Sequence, residues 1–372
     1  MSNESTPTSW INTAPGIALS AAPAIVGILV SCIILGHMTA GAVMAAAAVT
    51  VGFGAYKRLY GSAGPAMGIT TVGMGVSAFV GTLAGQTWQS MLVVVFLWGF
   101  ITGLLPVLKS DLSWVGQQCT IVLLVAGAFP GTWNHAAERA MLVFGGCAIQ
   151  FLCVTVLVAL FAPSAMVLPT DWRGQARLVG ATLITEVHSR SSSVGLALRL
   201  AIVLAAAVEI WRWLQLHNGY WIGMTVLLLV RPEFRDTLLR AGERTFGTIL
   251  GALLATLFMH SLPVTSTPWI AAGLTAVFAL LTLTLQQGNR IGSRIMNYPG
   301  SYTMFAGCLT AYVVFLMDYG GLNQKGVAGE RVLLTLLGGV LALVVHVPLD
   351  GLRGRDLAPL DDPLASETIA RP

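Results

Sequence analysis

The sequence predicts an all-α integral membrane protein with about twelve transmembrane helices arranged as two parallel six-helix repeats. Hydrophobic residues make up 55% of the chain and charged residues only 10%, whereas soluble domains carry about 25% charged residues. With a mean hydropathy of +0.78, the chain has too little polar surface for a water-soluble globule, so its solvent is predicted to be a bilayer. The length of its apolar runs and the placement of its cations define the helices.

Twelve apolar runs follow one another along the chain, and a spanning helix needs about 20 such residues. The runs are continuous rather than alternating, which excludes the strands of a membrane β-barrel. The second and eighth runs are the shortest. The predicted spans are 17–36, 38–54, 63–85, 88–108, 112–131, 139–162, 196–214, 219–231, 245–262, 268–287, 299–317 and 331–349.

Lysines and arginines are distributed unevenly between the predicted loops. With a cytoplasmic N-terminus, sixteen of the twenty lie on the cytoplasmic side, and the other four are Arg139, Arg212, Lys325 and Arg331. The positive-inside rule predicts such a split for an even number of spans. We therefore expect a multi-pass protein with both termini in the cytoplasm.

The two halves of the chain resemble each other. GHMTAGAVMAAAAV (36–49) aligns with LHNGYWIGMTVLLLV (216–230), which pairs His37 with His217. Because each half has an even number of spans, the repeats would be parallel, and transporters commonly bind substrate between such halves. The predicted organisation is a first transmembrane half at 1–162, a cytoplasmic linker at 163–195, a second transmembrane half at 196–350 and a disordered cytoplasmic tail at 351–372.

A charged segment, RPEFRDTLLRAGERTFGTILG (231–251), separates two apolar runs of the second half. Arg244 lies three residues before Gly247 in a Gly-x-x-x-Gly pattern, which lets helices approach closely. Arg199 is similar, since apolar residues flank it on both sides. An arginine near the bilayer usually faces a bundle interior or a water-filled cavity, and its planar guanidinium matches a carboxylate. Arg199, Arg231 and Arg244 are therefore predicted to clamp an anionic substrate.

Other polar residues near the span ends have two interpretations each. Arg240 is either an interfacial anchor or a substrate ligand, and Tyr220 with Trp221 are either belt aromatics or a stacking surface. The carboxylate of Glu209 either pairs with a nearby arginine or couples transport to protons. His37 and His217 are either interfacial side chains or proton switches. The proton-coupling candidates are His37, Glu209 and His217.

Enzyme signatures are missing from the sequence. It contains no phosphate-binding loop of the Walker type, no Gly-x-Ser-x-Gly elbow and no His-Glu-x-x-His. The five cysteines lie inside apolar runs and are predicted to be core residues. The sequence therefore predicts neither an enzyme nor a cofactor, a metal site or a nucleic-acid partner.

The second half resembles the fusaric acid resistance protein-like family, which groups with the bacterial aromatic acid exporters and, more distantly, with plant aluminium-activated malate transporters. The resemblance covers roughly residues 195–260 and includes LALRLAIVLAAAVEI (196–210). Its matching residues are Arg199, then Tyr220, Trp221, Thr225 and Val226, then Arg231 and Pro232, then Arg244, Gly247, Thr248 and Gly251.

This resemblance implies an exporter in the bacterial inner membrane that confers resistance to organic, foremost aromatic, carboxylic acids. It also implies a periplasmic adaptor protein and a homo-oligomer as partners, besides the small anionic substrate and the membrane lipids. We expect the export to be proton-coupled; the alternatives are a passive anion channel and a non-transporting membrane scaffold. The predicted substrate-binding residues are Arg199, Tyr220, Trp221, Arg231, Arg240, Arg244 and Thr248.

Overall fold

A computed structural model describes residues 14–57, 59, 63–108, 110–161, 192–231, 233–291, 301–322 and 326–344. This part of the chain folds into twelve α-helices, and a short 3-10 turn (Phe53–Tyr56) extends the second of them. The helices are α1 (Ala14–Ile34), α2 (Met38–Gly52), α3 (Gly64–Ala84), α4 (Trp88–Leu108), α5 (Ser110–Gly127), α6 (Trp133–Phe161), α7 (Ser192–Trp213), α8 (Tyr220–Leu229), α9 (Phe234–Ser261), α10 (Pro268–Ile291), α11 (Ser301–Tyr319) and α12 (Val327–Val344).

Eight helices in the described ranges are long and apolar enough to cross a membrane. The prediction of an all-α, multi-pass membrane protein is therefore confirmed. Helices α1 and α8 provide shorter apolar stretches. Helix α9 begins at Phe234 instead of the predicted 245, because the charged segment is itself helical. Most of the predicted linker and the whole predicted tail lie outside the described residues, and α7 already begins at Ser192.

The same pairs of helices are in contact in both halves. Helix α3 packs against α5 and α6, and α9 packs in the same way against α11 and α12. The pair α2 and α6 recurs as α8 and α12, and the pair α4 and α5 recurs as α10 and α11. The halves meet along two seams, one between α4 and α7 and the other between α1 and α10.

Small residues bring some of these helices into backbone contact. A Cβ added at Gly247 would collide with the carbonyl oxygen of Thr303, and one at Gly251 would collide with that of Gly307. Helix α9 therefore approaches α11 as closely as the Gly-x-x-x-Gly pattern predicts. At the seam between α4 and α7, a Cβ at Gly103 would meet the Cα of Ala197.

Helix α9 has two faces of different character. Large apolar side chains are exposed on one face, as expected for contact with lipid: Leu239, Phe246, Leu250, Leu253 and Leu257. The opposite face is a buried stripe of small and polar residues at helical spacing: Thr237, Ala241, Arg244, Gly247, Thr248, Gly251, Ala252 and Ala255. The helix therefore places Arg244 toward the centre of the protein.

Candidate functional site

A cavity of about 1050 Å³ lies between the two halves. Every helix from α2 to α12 contributes at least one residue to its wall. The wall is mostly apolar, with a few polar groups, as is typical of sites for small organic ligands. The predicted seam between the halves therefore encloses a space of suitable size for such a ligand.

The polar part of the wall is strongly cationic. No aspartate or glutamate belongs to the wall among the residues that the structure describes. Cations held away from bulk water are unfavourable unless an anion compensates them. The cavity is therefore electrostatically suited to an anion. Its six cations are Lys57, Arg139, Arg231, Arg240, Arg244 and Arg331.

Arg244 is the most deeply buried of these cations, with only 3% of its surface exposed. Its Nε and Nη1 atoms have no hydrogen-bond partner within the described part of the chain. The hydroxyl of Thr248, one turn later, donates to the backbone carbonyl of Arg244 at 2.8 Å and not to its guanidinium. A buried guanidinium with unused donors is a site at which a carboxylate would be strongly favoured.

Arg331 lies in the second turn of α12 and is 4% exposed. Its guanidinium stacks over the indole ring of Trp221 at 4.7 Å, and its Nε has no partner in the ranges described above. The neighbouring Glu330 forms no salt bridge with Arg331 in the described structure. Its two carboxylate oxygens accept hydrogen bonds from the backbone N of Asn218 at 3.2 Å and from the Nδ2 of Asn218 at 2.7 Å. In the positive-inside count Arg331 is one of the four cations on the non-cytoplasmic side, and it is not among the site residues that the sequence predicts.

Two more arginines line the cavity near the connection between α8 and α9. The guanidinium of Arg240 stacks over the ring of Tyr302 at 4.2 Å. The Nε of Arg240 and the hydroxyl of Tyr302 are both buried without a partner in the described structure. Burial and, next, the charge of Arg240 lower the pKa of the Arg231 guanidinium. Arg231 is therefore also a place where an anion would relieve repulsion.

The two cavity cations from the first half bond to other groups of the protein, unlike the cavity arginines of the second half in the described structure. Lys57 lies 3.5 Å from the carboxylate of Asp111, and its ammonium group also lies over the ring of Trp114. Arg139 donates to the hydroxyl of Thr82 at 2.8 Å and to two backbone carbonyls at the end of α5. These cations already have partners within the protein.

Most of the predicted substrate residues lie on the cavity wall, and two do not. Tyr220 and Trp221 are buried, at 6% and 3% exposure, so they are not belt aromatics at the membrane surface. Thr248 is buried behind Arg244, and half-buried Arg199 on α7 is not part of the wall. The predicted residues that line the cavity are Tyr220, Trp221, Arg231, Arg240 and Arg244.

The proton-coupling candidates are scattered. His37 is exposed between α1 and α2, and Glu209 forms a salt bridge to Arg212 at 3.0 Å. His217 is exposed but belongs to the cavity wall. Across the described ranges, no group of three His, Cys, Asp or Glu side chains could hold a metal ion.

Residues 200–345 match the model of a family described as fusaric acid resistance protein-like. The resemblance predicted from the sequence is confirmed. The match runs from α7 to the end of α12 and includes Arg231, Arg240, Arg244 and Arg331. The fusaric acid resistance protein-like family points to membrane transport or resistance rather than to catalysis.

Curated relatives are similar to the chain over a stretch of about the same length. An "Uncharacterized protein ORF2" of Neisseria gonorrhoeae is 30% identical over 147 residues, which cover 39% of this chain and 31% of that protein. An "Uncharacterized protein" of Haemophilus influenzae is 27% identical over 146 residues, which cover 39% of this chain and 18% of that protein. The chain thus spans less than a third of the length of either relative. No solved structure matches the chain at a significant level.

Proposed function

We propose that the protein is a proton-coupled exporter of organic carboxylic acids, foremost aromatic ones, and that it confers resistance to them. One observation carries the proposal: the cavity between the halves is lined by six cations and, in the described part, by no carboxylate. Such a wall attracts organic anions and repels cations. The family match to fusaric acid resistance protein-like members supports the same conclusion.

In this proposal the protein lies in the bacterial inner membrane with both termini in the cytoplasm, and its halves are parallel repeats around an axis along the membrane normal. Arg231 and Arg240 raise the local concentration of anions at the cytoplasmic entrance. Arg244 then binds the carboxylate through charge-assisted hydrogen bonds. The apolar wall holds the rest of the substrate, and a homo-oligomer with a periplasmic adaptor completes the export route.

Proton coupling is assigned to His217. It is the proton-coupling candidate from the sequence that belongs to the cavity wall, and histidine changes its charge near neutral pH. A passive anion channel is the second candidate function, because the described wall offers no carboxylate that could carry a proton. A channel would need none.

The proposal is tested first in cells and then with purified protein. Deleting the gene is expected to sensitise the cell to some members of a panel of weak aromatic acids, and the full-length gene is expected to restore growth. In proteoliposomes, an imposed pH gradient should drive uptake of the acid that gives the strongest phenotype, and His217→Gln should abolish this acceleration. If anion flux through the wild type does not depend on the pH gradient, the result would favour the channel. If no anion flux is detected, both the exporter and the channel are refuted.

A further inference from the structure

We propose that Arg331 is a second ligand of the central anion site and that it gives the site a preference for dicarboxylates over monocarboxylates. This inference rests on the proposed function, since it requires that the cavity binds an organic anion. Arg331 was not among the substrate residues predicted from the sequence. Its role follows from its burial, its partners and the charge of the cavity wall.

Arg244 and Arg331 project into one cavity from two helices that pack against each other, α9 and α12. Each is at least 96% buried, and each has a guanidinium N–H without a partner in the residues that the structure covers. Together they carry two positive charges that no carboxylate on the described part of the wall balances. A monocarboxylate would leave one buried charge uncompensated, whereas a dicarboxylate compensates both.

The surroundings of Arg331 hold its guanidinium ready for a ligand. The indole of Trp221 lies 4.7 Å from the guanidinium and covers one of its faces, so hydrogen bonds can form only at its edge. The carboxylate of Glu330, the adjacent residue in the sequence, accepts hydrogen bonds from Asn218 and forms no salt bridge with that edge in the described structure. Trp221 therefore acts on the ligand through Arg331, as a positioning residue.

Arg139 in the first half provides an internal comparison. It lies in the second turn of α6, as Arg331 lies in the second turn of α12, and it too stacks on an aromatic ring, that of Phe129. Its Nη1, however, donates to the hydroxyl of Thr82 and to two backbone carbonyls. Arg139 is thus an arginine in the corresponding place that the inference does not assign to the ligand.

Binding of two probe anions to the purified full-length protein in nanodiscs tests the inference. The probes are benzoate and benzene-1,3-dicarboxylate at neutral pH, where both are fully ionised. We expect the wild type to bind the dicarboxylate at least about tenfold more tightly, since each hydrogen bond to a charged group contributes roughly a tenfold factor or more. In Arg331→Gln this preference should disappear while benzoate affinity changes by less than about threefold.

Two controls separate a ligand role from a structural one. Arg235→Gln, at an exposed arginine of α9 that does not belong to the cavity wall, should retain the dicarboxylate preference. Arg331→Lys, which keeps the charge but loses the planar fork, should weaken only dicarboxylate binding. Should Arg331→Gln fail to fold, as judged by gel filtration, the lysine variant decides in its place. The inference is overturned if Arg331→Gln lowers the affinity for both anions equally. It is also overturned if the wild type shows no preference for the dicarboxylate. A wild type that binds neither probe nor any acid from the growth panel refutes the proposed function instead.

Discussion

The two halves of the molecule have cations in corresponding positions, but these cations contact different groups of the protein. Lys57 follows α2 as Arg231 follows α8, and Arg139 lies early in α6 as Arg331 lies early in α12. In the first half the cations meet Asp111, a threonine hydroxyl and backbone carbonyls. The cations of both halves lie against aromatic rings, but arginines of the second half have N–H donors without a partner in the described structure.

Under the proposed function, this difference separates cations that stabilise the fold from cations that would bind the ligand. A buried cation that is paired within the protein contributes to the fold, and breaking the pair is costly. A buried cation whose N–H donors have no partner destabilises the empty protein, and only a bound anion offsets this cost. The first half is therefore expected to respond to substitution through stability, and the second half through binding and flux.

The largest expected effect is that of Arg244→Met. Removing the guanidinium should lower substrate flux by about a hundredfold or more, because charge-assisted hydrogen bonds to the carboxylate are lost. The melting temperature should stay the same or rise, since an uncompensated buried charge is replaced by an apolar chain of similar length. Flux in proteoliposomes and thermal unfolding of the same preparation measure the two effects.

Arg235→Met is the matched control for this variant. Arg235 lies on the same helix but is exposed and does not belong to the cavity wall, so both flux and melting temperature should be unchanged. A strongly destabilised Arg244→Met with normal flux per folded molecule would reverse the comparison between the halves.

The opposite response is expected in the first half from Asp111→Asn. This change leaves the buried ammonium of Lys57 without its carboxylate and should lower the free energy of unfolding by about 3 kcal/mol. Flux per folded molecule should remain within about twofold of the wild type, because Asp111 does not belong to the cavity wall. The double variant Lys57→Met/Asp111→Leu should recover most of the melting temperature, and its failure to do so would argue against a structural pair.

Replacing the glycines at the closest helix contacts is expected to lower stability by a smaller amount, which should be similar in the two halves. A Cβ at Gly85 would collide with the carbonyl oxygen of Gly127, as one at Gly251 would with that of Gly307. Gly85→Ala and Gly251→Ala should each destabilise the protein by about 1–3 kcal/mol, measured by thermal unfolding. Gly242→Ala is the control on α9: a Cβ added there would meet no atom within 4 Å, so it should be neutral or stabilising by up to about 1 kcal/mol.

The helices could largely be predicted from the sequence, because continuous apolar runs interrupted by charge, proline or glycine dictate where a chain can cross a bilayer. Helix α9 begins before the predicted span 245–262, because its first turns are amphipathic and a search for apolar runs leaves their charged residues out. Arg244 could be predicted as a cavity residue from its place beside the small residues that pack α9 against α11.

Arg331 could not be found in the same way. An arginine in the second turn of an apolar helix looks in sequence like an interfacial anchor, and only the tertiary contact with Trp221 shows that it faces inward. Arg199 is the opposite case: its apolar neighbours in the sequence predict a cavity residue, but it does not belong to the cavity wall. Whether a side chain on α7 faces the cavity depends on how α7 rotates against α4, which one sequence does not specify.

The cationic wall has a consequence for the energetics of a working cycle. Bacterial cytoplasm is electrically negative, and each elementary charge moved through 100 mV changes the free energy by about 2.3 kcal/mol. If the protein is the proposed exporter, the voltage would therefore pull the unloaded, positively charged cavity toward the cytoplasm, and a bound dianion would cancel part of that pull. An exporter built in this way would be reset by the membrane potential after every release.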